Sequence, residues 1–261
     1  MSGAALVTGA SKRIGKAIAL WLAGRGLDVV VHYHTSADEA ESVAESIRAM
    51  GASAVTLKAD LTDEAETQKL VANAVDALAQ PLTVLVNSAS IFEYDNLQSA
   101  TRESWDRHLE SNLRAPFVLT QRFAEQVPEP IYGGERNEPT AQALIVNMVD
   151  QRVQKLTPEF MSYTIAKMGL WALTRTSAQA LGPKVRVNAI GPGPTVQGIR
   201  QSDGHFAAQR ASTILKRGSD TDGVCRALGF FLDAPDVTGQ LICVDGGQHL
   251  AWQTPDVLGL E

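Results

Sequence analysis

Seven short apolar runs recur along the chain, each cut off by Gly, Asn, Asp or small residues and separated by stretches with a helical apolar period. The runs are Ala4–Val7, Val29–Val31, Ala54–Lys58, Val84–Val86, Leu144–Met148, Val185–Ile190 and Leu241–Val244. Strands that alternate with helices are joined by right-handed crossovers and form a parallel sheet covered on both faces. The expected fold class is therefore α/β: a Rossmann-type, doubly wound, seven-stranded parallel sheet with helices on both faces. At 261 residues the chain reads most simply as a single NAD(P)-binding domain spanning 1–261.

Ligands in such sheets bind beyond the strand C-termini, at the point where strand order reverses. Gly9, Asn87, Asp150 and Pro192 all follow strand ends, so one crevice can gather them. Between the first strand and the helix that begins near Ile14 lies TGASKRIG, Thr8 to Gly15. Free backbone N–H groups and the helix dipole at such a junction attract an anion. The spacing departs from G-x-G-x-x-G: Gly9 and Gly15 hold the outer positions and Arg13 stands inside. An ordinary βα turn is the competing reading.

The second strand runs into His32-Tyr33-His34-Thr35-Ser36. An NAD site usually places an acid here for the ribose 2′-hydroxyl. The first acids are Asp38 and Glu39, already in the next helix, while Lys12 and Arg13 lie in the preceding loop. That pattern favours NADPH, with His32 and His34 as either phosphate neighbours or packing residues.

Tyr163 and Lys167 stand four residues apart in an apolar helical context, with Cβ atoms about 5–6 Å apart on one face. A neighbouring ammonium is expected to pull the phenol pKa down toward working pH. Other elements read as helices over Asp38–Met50, Asp63–Leu78 (with Thr62 as N-cap), Glu103–Glu125 and Asp222–Leu232. The Tyr163 helix is expected to start at Thr157-Pro158-Glu159 and end near Leu181. Pro128 to Pro139 reads as a surface loop, and Gln197 to Lys216, within a substrate loop at about 194–217, as a mobile lid.

The formal charge of −6 argues against a nucleic-acid or anionic-membrane binder. No window is apolar enough to span a bilayer, and the N-terminus does not read as a secretory signal. Cys225 and Cys243 form no CxxC motif and suit a reducing, cytoplasmic setting. No metal site is expected.

Together these pieces resemble the short-chain dehydrogenase/reductase family, on TGASKRIG, Asp60, NSAS at Asn87 to Ser90, Asn112, Tyr163 with Lys167, PGPT at Pro192 to Thr195 and VDGG at Val244 to Gly247. The resemblance implies NADP(H), with Tyr163 as proton donor and Lys167 lowering its pKa and holding the nicotinamide ribose. Asn112 would support a water relay. Gly9, Ser11, Ile14 and Gly15 would line the diphosphate and adenosine side; Asp60 and Leu61 would meet adenine; Asn87 and Ala89 would lie along the cofactor. Pro192, Gly193 and Thr195 would face the nicotinamide. With Lys12, Arg13, His32, Tyr33, Thr35 and Ser36, these complete the expected cofactor set. The resemblance also implies a homo-tetramer, with the Trp105–Phe117 and Tyr163 helices as dimer surface and the tail Trp252–Glu261 as a candidate packing element.

The chain departs from that family pattern at Asp150, thirteen residues before Tyr163, where the family carries a catalytic Ser. An ionised carboxylate only accepts hydrogen bonds and repels a developing alkoxide. A substrate with ring N–H groups or a ring nitrogen to protonate suits an Asp–Tyr pair better. KRIG, VHYHTSA at Val31 to Ala37, NSASIF ending in Phe92, and VNMVD ending in Asp150 resemble the pteridine reductase branch, including dihydromonapterin and dihydrofolate reductases. That resemblance implies a pterin on Phe92, contacted by Arg13, Ser90, Asp150 and Tyr163. A carbonyl reductase and a non-catalytic NADP(H)-binding protein are the alternatives.

Overall fold

The computed structural model describes residues 3–198 and 201–253. Seven strands form the main sheet: β1 (Ala4–Val7), β2 (Asp28–Tyr33), β3 (Ala54–Lys58), β4 (Leu82–Asn87), β7 (Ala143–Met148), β8 (Val185–Pro192) and β9 (Leu241–Val244). All pairings are parallel and the order is β3-β2-β1-β4-β7-β8-β9. This is the expected Rossmann-type sheet, and its order reverses between β1 and β4.

The helices are α1 (Arg13–Gly24), α2 (Ala37–Ala49), α3 (Glu64–Leu78), α4 (Arg102–Leu109), α5 (Ala115–Gln126), α6 (Met161–Leu181), α7 (Asp203–Ala211) and α8 (Thr221–Asp233). Strand side chains alternate between the two helical layers, because the strand period is two. On one face Ala5, Val7, Val29 and Val31 pack with Ile18, Leu22, Val43, Ile47, Leu228 and Phe231. On the other, Ala4, Leu6, Leu85 and Ile145 pack with Leu70, Leu119 and Phe123. Leu6 and Leu85 are wholly buried; full burial stabilises such a side chain by about 1.5–3 kcal/mol each.

Several expected boundaries shift for identifiable reasons. Asp63, not Thr62, caps α3: its carboxylate accepts from the N–H groups of Ala65 (2.8 Å) and Glu66 (3.3 Å), while the Thr62 hydroxyl is committed to Asp60. The expected Glu103–Glu125 helix is broken into α4 and α5 by a π-helical turn at Glu110–Arg114. Pro128–Pro139 is largely a hairpin rather than a loop, with β5 (Ile131–Gly133) antiparallel to β6 (Glu138–Thr140). Helix α6 starts at Met161, because Phe160 adopts the left-handed region (φ 56°). The expected lid contains α7, capped by Ser202; residues 199–200 of it, and residues 254–261 of the tail, lie outside the described residues.

Candidate active site

The junction between β1 and α1 is built for close backbone approach. Gly9 has φ 63°, and a Cβ there would come within 2.9 Å of Ala89 Cα. A Cβ on Gly15 would collide with the Gly9 carbonyl. Thr8 ties this loop to the one after β4: its hydroxyl accepts from the N–H groups of Ser88 (2.9 Å) and Ala89 (3.0 Å). No side chain caps the start of α1 among the described residues, so its first-turn N–H groups remain available to an anion.

These loops open onto a cavity of about 530 Å³ at the switch point. The glycine loop contributes Gly9, Lys12, Arg13, Ile14 and Gly15; the ends of β2 and β3 contribute His32, His34, Asp60 and Leu61. Ala89, Ser90 and Phe92 line the β4 side, and Asp150, Tyr163 and Lys167 the β7 and α6 side. Pro192, Gly193 and Thr195 close it beyond β8. The structure thus brings most of the expected residues to one crevice.

Six do not line it. Ser11 faces a neighbouring surface depression with Lys12, Lys16 and Glu39. Tyr33, Thr35 and Ser36 lie off the cavity. Asn87 is buried, donating to Asn147 Oδ1 at 2.8 Å. Asn112 is also fully buried, and is neither solvent-facing nor cavity-lining; it donates to the Ile91 carbonyl at 2.9 Å from within the π turn. Its Oδ1 has no partner among the described residues.

His32 corrects the expectation of a phosphate contact. Its Nδ1 accepts from Gly9 N–H at 3.0 Å and its Nε2 lies 3.1 Å from the Ala59 carbonyl. A ring nitrogen that accepts carries no proton, so Nε2 donates and the imidazole is neutral. Burial lowers its pKa to about 4. It is a strut under the glycine loop, not a cation. His34, omitted from the expected cofactor set, is the exposed imidazole at the rim, 3.5 Å from Asp60.

The corner formed by Asp150, Tyr163 and Lys167 is compact. Asp150 Oδ1 accepts the Arg152 N–H at 2.8 Å, and Oδ2 accepts the Tyr163 hydroxyl at 3.0 Å. Lys167 is buried and donates to the Met148 carbonyl at 2.8 Å, with its Nζ 5.6 Å from the Tyr163 ring centroid. Burial raises the Asp150 pKa, against the pull of the Arg152 N–H. Burial and the Asp150 charge push the Tyr163 phenol well above its ordinary value. The expected lowering by Lys167 is therefore absent in this geometry, since its ammonium is turned to a carbonyl. Lys167 itself is brought down to about 8 by burial.

Phe92 is half exposed. It stacks on Phe160 (centroids 4.4 Å apart, planes at 12°) and meets Tyr163 edge-on at 4.7 Å. Arg13 also adopts φ 56° and donates to the carbonyls of Val196 (3.0 Å) and Gln197 (2.7 Å), clamping the glycine loop to the loop after β8.

The family described as Enoyl-(Acyl carrier protein) reductase matches residues 9–249. The chain belongs to the short-chain dehydrogenase/reductase family. It is an oxidoreductase of that family. Among solved structures it is similar to FolM alternative dihydrofolate reductase 1 from Brucella canis complexed with NADP, at 42% identity and TM-score 0.89, covering 97% of this chain and 96% of that one. The Brucella suis counterpart, also in complex with NADP, shows 40% identity and TM-score 0.89 over 97% and 98%. Among curated relatives it is 32% identical to a 3-oxoacyl-[acyl-carrier-protein] reductase of Staphylococcus epidermidis, over 96% of this chain and 100% of that one.

Within this short-chain dehydrogenase/reductase site, Ala59, Thr62, Ser88, Ile91, Ser111, Met148 and Val149 also line the cavity without belonging to the expected set, while Val196 lies within the expected substrate loop. Met148 and Val149 sit beside Asp150, so the strand-end logic was able to reach them. Ser111 enters from the π turn, a feature that carries no short-range signal in the sequence.

Proposed function

We propose that the protein is an NADPH-dependent reductase of a pteridine ring, of the dihydropterin or dihydrofolate type. The observation that carries this reading is the 3.0 Å bond from Tyr163 to Asp150 beside a half-exposed Phe92. A ketone reductase needs a neutral donor to a developing alkoxide, and a carboxylate there opposes it. A carboxyl group whose pKa is raised is suited to exchanging protons with ring nitrogens. Phe92 offers an open aromatic face to a planar ring. The FolM likeness supports the same substrate class.

The residues fit NADP(H). Gly9 and Gly15 leave a cradle that a Cβ would fill, and the uncapped start of α1 suits a diphosphate. Lys12 would meet a 2′-phosphate, Lys167 the nicotinamide ribose, and the loop at Pro192, Gly193 and Thr195 the nicotinamide. NADPH supplies hydride when bound. Tyr163 and Asp150 hold the protons, and Ser90 and Arg13 orient the ring. The unpaired Asn112 Oδ1 suits a water leading toward Lys167. Domain 1–261 acts as one unit, with 194–217 contacting substrate.

Exposed Trp105, Phe117, Ile165 and Met168 on α4, α5 and α6 support assembly as a homo-tetramer. No helix among the described residues is long and apolar enough to cross a membrane, and we place the protein in the cytoplasm. The test is NADPH oxidation with dihydrobiopterin, dihydromonapterin or dihydrofolate. Binding of NADPH without turnover of any of them rejects the reading. The similarity to 3-oxoacyl reductases keeps β-keto esters as the competing substrates.

A further inference from the structure

Behind the catalytic corner lies a buried polar chain that does not line the cavity. Asp95 and His108 are 2% and 0% exposed, and Ser162, directly before Tyr163, is 0% exposed. The Glu93 N–H donates to His108 Nε2 at 3.1 Å. That nitrogen therefore bears no proton, and Nδ1 carries it. Nδ1 lies 2.6 Å from Ser162 Oγ and donates to it. The Ser162 hydroxyl must then give its own proton to Asp95 Oδ2, with which it makes a very short contact. Asp95 Oδ1 accepts the Ser162 N–H at 3.1 Å. Every proton in the chain has one consistent direction.

The same residues hold strained backbone in place. Phe160 carries a bulky side chain at φ 56°, a conformation that persists only where the surroundings enforce it. Its N–H donates to the Asp95 carbonyl at 2.8 Å, and Met161 N–H donates to the same oxygen at 3.3 Å. Phe160 in turn is the surface on which Phe92 stacks, and Phe92 meets Tyr163 edge-on.

We propose that Asp95, Ser162 and His108 form a positioning relay that locks the loop carrying Phe92 to the start of α6, and so sets the spacing and tilt between Phe92 and Tyr163. They act through those two residues and touch no reactant. This rests on the roles given above to Phe92 and Tyr163. Ring stacking on one residue and proton delivery by the other both depend on their separation, and misplacement by about 1 Å can cost up to 10²-fold in rate.

The test compares Ser162→Ala, His108→Leu and His108→Asn in the full-length enzyme. Asn keeps a donor near the Nδ1 position, whereas Leu does not. Kinetics use whichever substrate wild type turns over, a dihydropterin or a β-keto ester, so failure of the pteridine reading leaves this test intact. In Ser162→Ala and His108→Leu, kcat/KM is expected to fall about tenfold while the NADPH Kd, read by fluorescence, stays within about twofold. His108→Asn is expected to recover most of the loss, which a merely structural role would not produce. A lower Tm with unchanged kcat/KM overturns the proposal, as does a loss confined to NADPH affinity. Should Ser162→Ala not fold, the two His108 variants decide the matter. Crystal structures of wild type and His108→Leu give a readout independent of turnover: an unchanged Phe92–Tyr163 geometry overturns it.

Discussion

The Tyr163 hydroxyl and Asp150 Oδ2 lie 3.0 Å apart, so the protonation of the phenol and that of the carboxyl are coupled. Burial raises the cost of ionising both; the Asp150 charge adds to it for the phenol, whereas the phenol's hydrogen bond favours the ionised carboxylate and only partly offsets the effect of burial on Asp150. The raised Asp150 value has a direct sign. Below it the carboxyl is protonated and can donate; above it, it only accepts. Pterin reduction is expected to decline as pH rises through a value above the ordinary Asp range. Asp150→Asn should remove that limb and lower kcat/KM about 10²-fold, measured as a pH profile with NADPH. Asp150→Ser should improve turnover of β-keto esters.

Phe92 presents one face to the cavity and the other to Phe160. Phe92→Ala is expected to raise KM for a pterin about tenfold, with little change in NADPH affinity. Equal KM values for the two proteins would remove the stacking platform from the account.

Lys12 pairs with Glu39 at 2.6 Å on the surface beside the glycine loop. A 2′-phosphate there would compete with Glu39 for the ammonium. Lys12→Ala is expected to raise KM for NADPH about tenfold and leave NADH nearly unaffected. Ratios of kcat/KM for the two cofactors provide the check.

His32 titrates at about 4 in the fold, against roughly 6.5 when unfolded. The unfolded chain therefore takes up the proton first as pH falls. Stability tied to the neutral ring is complete above about pH 6.5 and is lost as pH falls through about 4. His32→Asn should weaken this acid-side slope in a plot of Tm against pH, at the expense of a lower Tm near neutrality from the lost strut.

What could be read from the residues alone was whatever short-range chemistry dictates. Alternating apolar runs and helical periods specify the parallel sheet, because each strand must bury both faces. Strand ends at Gly9, Asn87, Asp150 and Pro192 point to the crevice, although Asn87 itself turns out buried beside it, and the four-residue spacing of Tyr163 and Lys167 places them on one helical face. Tertiary structure alone decided that His32 is a strut, that Asn112 sits in a π turn, and that Lys167 turns to Met148 rather than to the phenol. The Asp95–Ser162–His108 chain belongs to the same class, joining residues 54 and 67 positions apart. Such contacts depend on which groups packing leaves buried and unsatisfied, and a buried donor or acceptor takes its partner from whatever the fold brings near, however distant along the chain.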